Sequence, residues 1–302
     1  MIDMRRGPSW SAFVALLAGG MAIGFAGILM RLADVSPLAS AFWRMALAAP
    51  LLWTWALARR RTDLAEGKPI GFMPAVAWAG LFFAGDISLW HLALHDTSVS
   101  NATLLSNFAP IFIALWMWLR FGERFAPLFL VGLVATLIGA VMLVAPNAIS
   151  GEAVSATRTF GDGLGLASAV FYAAYLLAIK DARERYSTAR LMAWSTTVTA
   201  LVLLPIAMLG SDALLPQRAS GWLPLFGLAL VTQIGGQTVI AYALAHLPAS
   251  LASVSLLIQP LTATVAAWLI LGEKVEPIQM VGGALLVGGI AISKAAKGGR
   301  GR

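Results

Sequence analysis

Residues 110–139 read PIFIALWMWLRFGERFAPLFLVGLVATLIG, and residues 260–289 read PLTATVAAWLILGEKVEPIQMVGGALLVGG. Pro110, Trp118, Gly122, Glu123, Pro127, Gly132 and Gly139 of the first stretch return 150 positions later as Pro260, Trp268, Gly272, Glu273, Pro277, Gly282 and Gly289. Each stretch ends one hydrophobic run, turns through a Gly-Glu pair and begins the next run. Working outward from them, ten such runs lie at 11–30, 37–58, 71–93, 99–119, 126–145, 161–180, 188–209, 222–244, 249–271 and 275–293. A run of about 20 apolar residues is long enough to cross the hydrocarbon core. The runs form two fives, 11–145 and 161–293. Five spans carry a chain from one side of the bilayer to the other, so the second copy enters with the opposite orientation. The sequence therefore predicts an all-α integral membrane protein with ten transmembrane helices, arranged as two inverted-topology five-helix repeats.

Composition agrees: 59% of the 302 residues are hydrophobic and 12% charged, against about 25% charged in soluble domains. The connections are short, so any function must lie within the bundle. Cys is absent, which excludes disulfides, thiolate metal sites and cysteine nucleophiles. The net charge of +7 suggests nucleic acid, but Lys and Arg sit at the ends of runs and not on one basic face, so no nucleic-acid partner is expected. The first run follows Arg5 and Arg6 as a signal peptide would, yet it exceeds the usual 7–15 residues or so and belongs to the first repeat; it is read as a retained helix.

Orientation follows from charge. With both termini cytoplasmic, the inner side holds Arg5, Arg6, Arg59, Arg60, Arg61, Lys68, Arg120, Arg124, Lys180, Arg183, Arg185, Arg190, Lys294, Lys297, Arg300 and Arg302, and the outer side only Arg31, Arg158, Arg218 and Lys274. Sixteen against four satisfies the positive-inside rule. It also places Glu123 and its repeat mate Glu273 on opposite sides.

The stretch from Ala93 through His95, Asp96 and Asn101 to Pro110, Gly122 and Glu123 resembles the fourth-helix signature of the EamA type within the drug/metabolite transporter superfamily. Its second copy, from Ala243 through His246 and Ser250 to Gln259, Pro260, Gly272 and Glu273, is similar again, and Pro37, Phe42 and Arg44 resemble the family's second helix. The resemblance covers about 12–144 and 162–293 and is strongest to YddG-type amino-acid exporters. It implies ten helices, a central cavity and export of amino acids or related metabolites. Asn107 stands where relatives often carry an acidic residue, which removes one route to ion coupling.

Pro110 and Pro260 fall near the middle of spans four and nine, where each deletes a backbone donor and frees the carbonyl of Ser106 or Leu256. Paired kinks at corresponding positions suggest hinges at the repeat interface, because lipid tolerates a freed carbonyl poorly. Asp86 is the one carboxylate clearly inside a span, about 10 Å from its outer end by the helical rise. Phe82 and Trp90 share its face. Either it meets a substrate ammonium or it hydrogen-bonds a neighbouring helix. His91 either binds substrate or a proton, or rests on a backbone carbonyl; His95 and His246 read as loop residues. Arg44 is expected either to lift its guanidinium toward the outer headgroups or to hold a substrate carboxylate. Asn101, Ser106, Asn107, Tyr175, Gln233, Gln237, Tyr242 and Gln259 complete the candidate cavity set, with Gln233 and Gln237 on one helical face. Trp53, Trp55, Trp116, Trp118 and Trp268 read as interfacial anchors.

Uncharged donors and acceptors beside aromatics suit a zwitterion better than a phosphorylated ligand. The expected function is a secondary transporter in a bacterial cytoplasmic (inner) membrane. It exports small metabolites, chiefly amino acids including apolar and aromatic ones, by alternating access, as a uniporter or proton-coupled antiporter. A channel-like pore for small polar solutes and an exporter of another drug or metabolite class remain alternatives. The sequence has no His pair at metal spacing and no second carboxylate near Asp86, so neither an enzyme nor a cofactor is expected. The expected surroundings are membrane lipid and a small-molecule substrate, with the chain acting as a monomer or weak oligomer.

Overall fold

The computed structural model describes residues 9–97, 99–148, 156–210 and 213–298, and every regular element among them is a helix. Arg5, Arg6, Arg300 and Arg302 lie outside the described residues, as do the side chains of His95, Asn101, Arg158 and Lys297. Nine described helices are long and apolar enough to span a bilayer: one, Trp10–Leu32; three, Pro74–Ala93; four, Ala102–Phe121; five, Pro127–Val144; six, Thr159–Arg183; seven, Thr188–Gly210; eight, Ala219–Leu244; nine, Ala249–Leu271; and ten, Pro277–Ala296. Span two is the 22-residue helix Pro37–Ala58, opened by Pro37 at its first position and by Ser36, whose hydroxyl accepts from Ala39 N at 3.2 Å. At 1.5 Å per residue it is about 33 Å long, enough to cross. Thus the chain is a multi-pass membrane protein of ten spans.

The repeated stretches fold alike because they carry the same stop and start signals. Gly122 and Gly272 end spans four and nine in the left-handed region, at φ 63° and 69°, where only glycine sits without cost. The following amides close the turns in matching fashion, Glu123 N on the Met117 carbonyl at 3.2 Å and Glu273 N on that of Ala267 at 3.3 Å. Pro127 and Pro277 then open the next helices.

Spans five and ten pack through the repeated glycines. A Cβ on Gly132 would lie 2.7 Å from the Gly289 carbonyl, and one on Gly139 would lie 2.5 Å from that of Gly282. Gly132 is the repeat mate of Gly282, and Gly139 of Gly289, so each residue meets the mate of the other. That exchange is the signature of a two-fold relation between the halves, consistent with inverted repeats. Spans two and seven form a second close pair, three and six a third, while span one lies on eight and nine.

The proline kinks are full breaks. Span four is interrupted between Ser106 and Ala109, and span nine between Ser255 and Ile258, in each case just before the repeated proline. The Leu256 carbonyl, expected to be freed, is taken by Gln259 N at 3.1 Å. Span eight holds a ten-residue π-helical stretch, Leu228–Gln237, which the sequence did not signal. Trp53, read as an interfacial anchor, is packed inside: its Nε1 donates to Thr197 Oγ1 at 2.9 Å and its ring meets Trp194 edge-on at 4.7 Å. Trp55, Trp116, Trp118 and Trp268 are exposed, as anchors should be.

Candidate functional site

A cavity of about 780 Å³ lies at the centre of the bundle, lined from the first, second, third, fourth, sixth, eighth, ninth and tenth spans among others. Its lining reaches the surface at Arg31, Glu273 and Lys274, where the half-exposed Arg31 Nη1 and Glu273 Oε1 pair at 2.9 Å, and includes Ile23, Gln237 and Gln259. The opposite end of the bundle is tied shut. Lys180 Nζ donates to the carbonyls of Leu244 at 3.1 Å and Leu247 at 2.7 Å, Tyr186 Oη to Gly71 O at 2.7 Å, and Arg190 Nη2 to Ala56 O at 2.9 Å.

Of the candidates read from sequence, Asp86, Trp90, His91, Ser106, Asn107, Gln237, Gln259 and Pro260 line this cavity. Ser168 Oγ of span six donates to Asp86 Oδ1 at 2.6 Å, so the carboxylate both holds a neighbouring helix and borders the cavity. His91 Nδ1 lies 2.6 Å from the Ile87 carbonyl. With the proton on Nδ1, Nε2 of the neutral ring is an acceptor, and it is buried without a partner. Trp90 meets the His91 ring edge-on at 4.9 Å. Ser106 Oγ and Asn107 Nδ2 both donate to the Thr103 carbonyl at 2.9 Å, gathered by the helix break. Phe83 lines the cavity, and Phe82 instead packs against Trp78 and Phe171; the aromatic wall beside Asp86 is thus one residue round from the expected face.

Four candidates stand elsewhere. Tyr175 is 2% exposed behind the cavity, stacked on Phe83 at 4.4 Å, with its hydroxyl donating to Gln237 Oε1 at 3.4 Å. Gln233, also behind it, donates through Nε2 to Thr196 Oγ1 at 3.0 Å. Tyr242 borders a separate pocket at the opposite end. Pro110 is buried off the lining, and Asn101 stands in the helix Val99–Ser106 with its side chain outside the described residues.

Arg44 departs from the headgroup reading. Its guanidinium does not reach for the headgroups but turns into the cavity, where Nε donates to Gln233 Oε1 at 3.2 Å and Cζ sits 5.6 Å from the centre of the Phe83 ring. Asp86 lies within electrostatic reach. An amide oxygen, an aromatic face and a carboxylate together offer more than a stretched path to the interface, and Nη2 is left buried without a hydrogen-bond partner. Sequence reasoning also missed Ser168 and Tyr172. Ser168, a small polar residue inside an apolar span, was the one legible clue.

A two-fold bundle of broken helices around a central cavity lined by both apolar and polar side chains is an architecture that membrane transporters use. The chain belongs to the EamA-like transporter family, within the drug/metabolite transporter superfamily: the family's pattern matches it twice, at residues 10–145 and 159–294. It is 30% identical over 93% of its length to the "Probable terminal-alkyne amino-acid exporter" of Streptantibioticus cattleyicolor, covering 88% of that protein. It is 27% identical to the pseudopaline exporter CntI of Pseudomonas aeruginosa over 85% of this chain and 86% of that one. An uncharacterized transporter of Archaeoglobus fulgidus is 26% identical over 90% of this chain and 92% of its own. A crystal structure superposes with a TM-score of 0.78 over 94% of this chain and 96% of that one; at 20% identity it speaks for the fold alone.

Proposed function

We propose that this transporter exports amino acids and related amphoteric metabolites, holding them in the central cavity between a cation and an anion. The observation that carries this reading is Arg44 and Asp86 on one cavity wall system, the first with a buried nitrogen lacking a partner. A substrate carboxylate suits Arg44 and an ammonium suits Asp86, with His91 Nε2 as a further acceptor. Phe83, Trp90 and Tyr172 supply apolar surface for a side chain. The names of two relatives, exporters of a terminal-alkyne amino acid and of pseudopaline, favour the same direction.

In this reading the protein sits in a bacterial inner membrane with both termini cytoplasmic. The cavity then faces outward and the Lys180, Tyr186 and Arg190 contacts close the cytoplasmic side. Alternating access follows when the two halves, 11–145 and 161–293, rock about the breaks before Pro110 and Pro260. A zwitterion has no net charge, so its downhill movement does no work against the membrane potential and needs no coupling ion; proton exchange through Asp86 or His91 is the other mode. The chain acts as a monomer or weak oligomer. The test is uptake of labelled phenylalanine and leucine into liposomes holding the purified protein, compared with Arg44→Gln and Asp86→Asn. Saturable uptake lost in both variants supports the reading, and equal uptake in all three defeats it.

A further inference from the structure

A second pocket, of about 520 Å³, lies at the end of the bundle opposite the central mouth and shares no lining residue with the central cavity. Arg59 reaches it from the end of span two, Lys68 from the following connection and Arg183 from the end of span six, with Trp55 and Tyr242 beside them. Two carboxylates answer these three cations. Asp63 Oδ1 is 3.9 Å from Arg59 Nε, while its Oδ2 accepts from Ser187. Glu66 takes Lys68 Nζ at 2.5 Å and is 3.9 Å from Arg59 Nη2. Arg183 pairs with no carboxylate among the described residues; its Nη1 donates to the Tyr186 carbonyl. The Nε atoms of Arg59 and Arg183 are both enclosed and lack hydrogen-bond partners. The pocket thus keeps one positive charge in excess, with Arg183 Nε unpaired and Arg59 Nε held only by its long ion pair with Asp63.

Phosphate is the group such donors fit, because its oxygens accept from planar guanidinium forks. Trp55 and Tyr242 are 39% and 44% exposed, at the ends of spans, where amphipathic rings settle at headgroup depth. A soluble phosphate ester would use the same cations but gain nothing from those aromatics. We propose that this pocket binds the headgroup phosphate of an anionic phospholipid from the adjoining leaflet, gripped by Arg59 and Arg183. Basic pockets between transmembrane helices are suited to such headgroups.

The experiment is native mass spectrometry and thermal unfolding of the detergent-purified full chain, titrated with phosphatidylglycerol, phosphatidylcholine or sn-glycerol 3-phosphate. Phosphatidylglycerol alone is expected to bind and to raise the unfolding temperature. In Arg59→Gln/Arg183→Gln its affinity should fall roughly thirtyfold, the effect of two lost surface cations. Arg61→Gln, an exposed cation outside the pocket, should leave it unchanged. Equal binding of phosphatidylcholine, or wild-type affinity in the double variant, overturns the proposal. Binding of glycerol phosphate as tight as that of the lipid overturns the lipid assignment in favour of a soluble ester. Should the double variant fail to fold, the comparison of the three ligands on the wild type decides.

Discussion

Replacing Arg44 by Gln tests the charged pair where it is most exposed to refutation. In the native chain Nε is held on Gln233 at 3.2 Å and Nη2 is buried without a partner. A carboxylate seated on that nitrogen makes a charge-assisted hydrogen bond, worth about 1.5–3 kcal/mol. Its loss should weaken amino-acid binding roughly 10- to 150-fold. The side effect on folding is smaller, because the glutamine amide can still meet Gln233; the contact with Phe83 accounts for about 0.5–2 kcal/mol. The assay is equilibrium binding of labelled phenylalanine and of its decarboxylated amine to purified protein, with unfolding temperature followed in parallel. The wild type should prefer phenylalanine; Arg44→Gln should lose that preference, since the amine needs only Asp86. A folded Arg44→Gln protein that binds phenylalanine as the wild type does would make Arg44 a structural residue and refute the two-pole site.

Other outcomes follow from the same geometry. Asp86→Asn should weaken phenylalanine binding while leaving N-acetylphenylalanine, which has no ammonium, unaffected in the same assay. Gly139→Ala drives a methyl to 2.5 Å from Gly282 O and Leu286 N, backbone atoms that cannot step aside, and should cost about 1–3 kcal/mol of stability; Gly27→Ala, in a helix with nothing within 4 Å, should not lower the unfolding temperature, because alanine is the better helix former. Because the chain has no Cys, an introduced one reports alone. Thr264→Cys on the cavity lining should react with an impermeant maleimide added outside whole cells, and Thr199→Cys, at 0% exposure, should not. Labelling of Thr264→Cys only in inverted vesicles would reverse the proposed orientation.

The spans were legible because a bilayer demands long apolar runs, and the repeat was legible because both copies keep the Pro and Gly-Glu signals. Asp86 and His91 are legible because polar groups among apolar ones stand out, and Trp90 because it shares the face of Asp86; all three line the cavity. Arg44 is legible as a charge inside span two, but the direction of its guanidinium is not. Snorkelling is decided by what the interior offers, and Gln233, Phe83 and Asp86 come from spans three and eight, which periodicity within span two does not reveal. Tyr242 shares span eight with Gln237, yet it lies five residues farther toward the opposite end and borders the other pocket. The π-helical stretch has no composition that announces it; within it Gln233 and Gln237, both buried and one turn apart, serve different neighbours.

The most direct test of export by a carrier is counterflow: liposomes loaded with unlabelled phenylalanine, diluted into a trace of labelled phenylalanine, with no ion gradient. A carrier with one cavity exposed alternately should take up label transiently above equilibrium, in saturable fashion, and should lose this in Arg44→Gln. Flux that rises linearly with concentration and shows no overshoot would contradict alternating access and point to a pore.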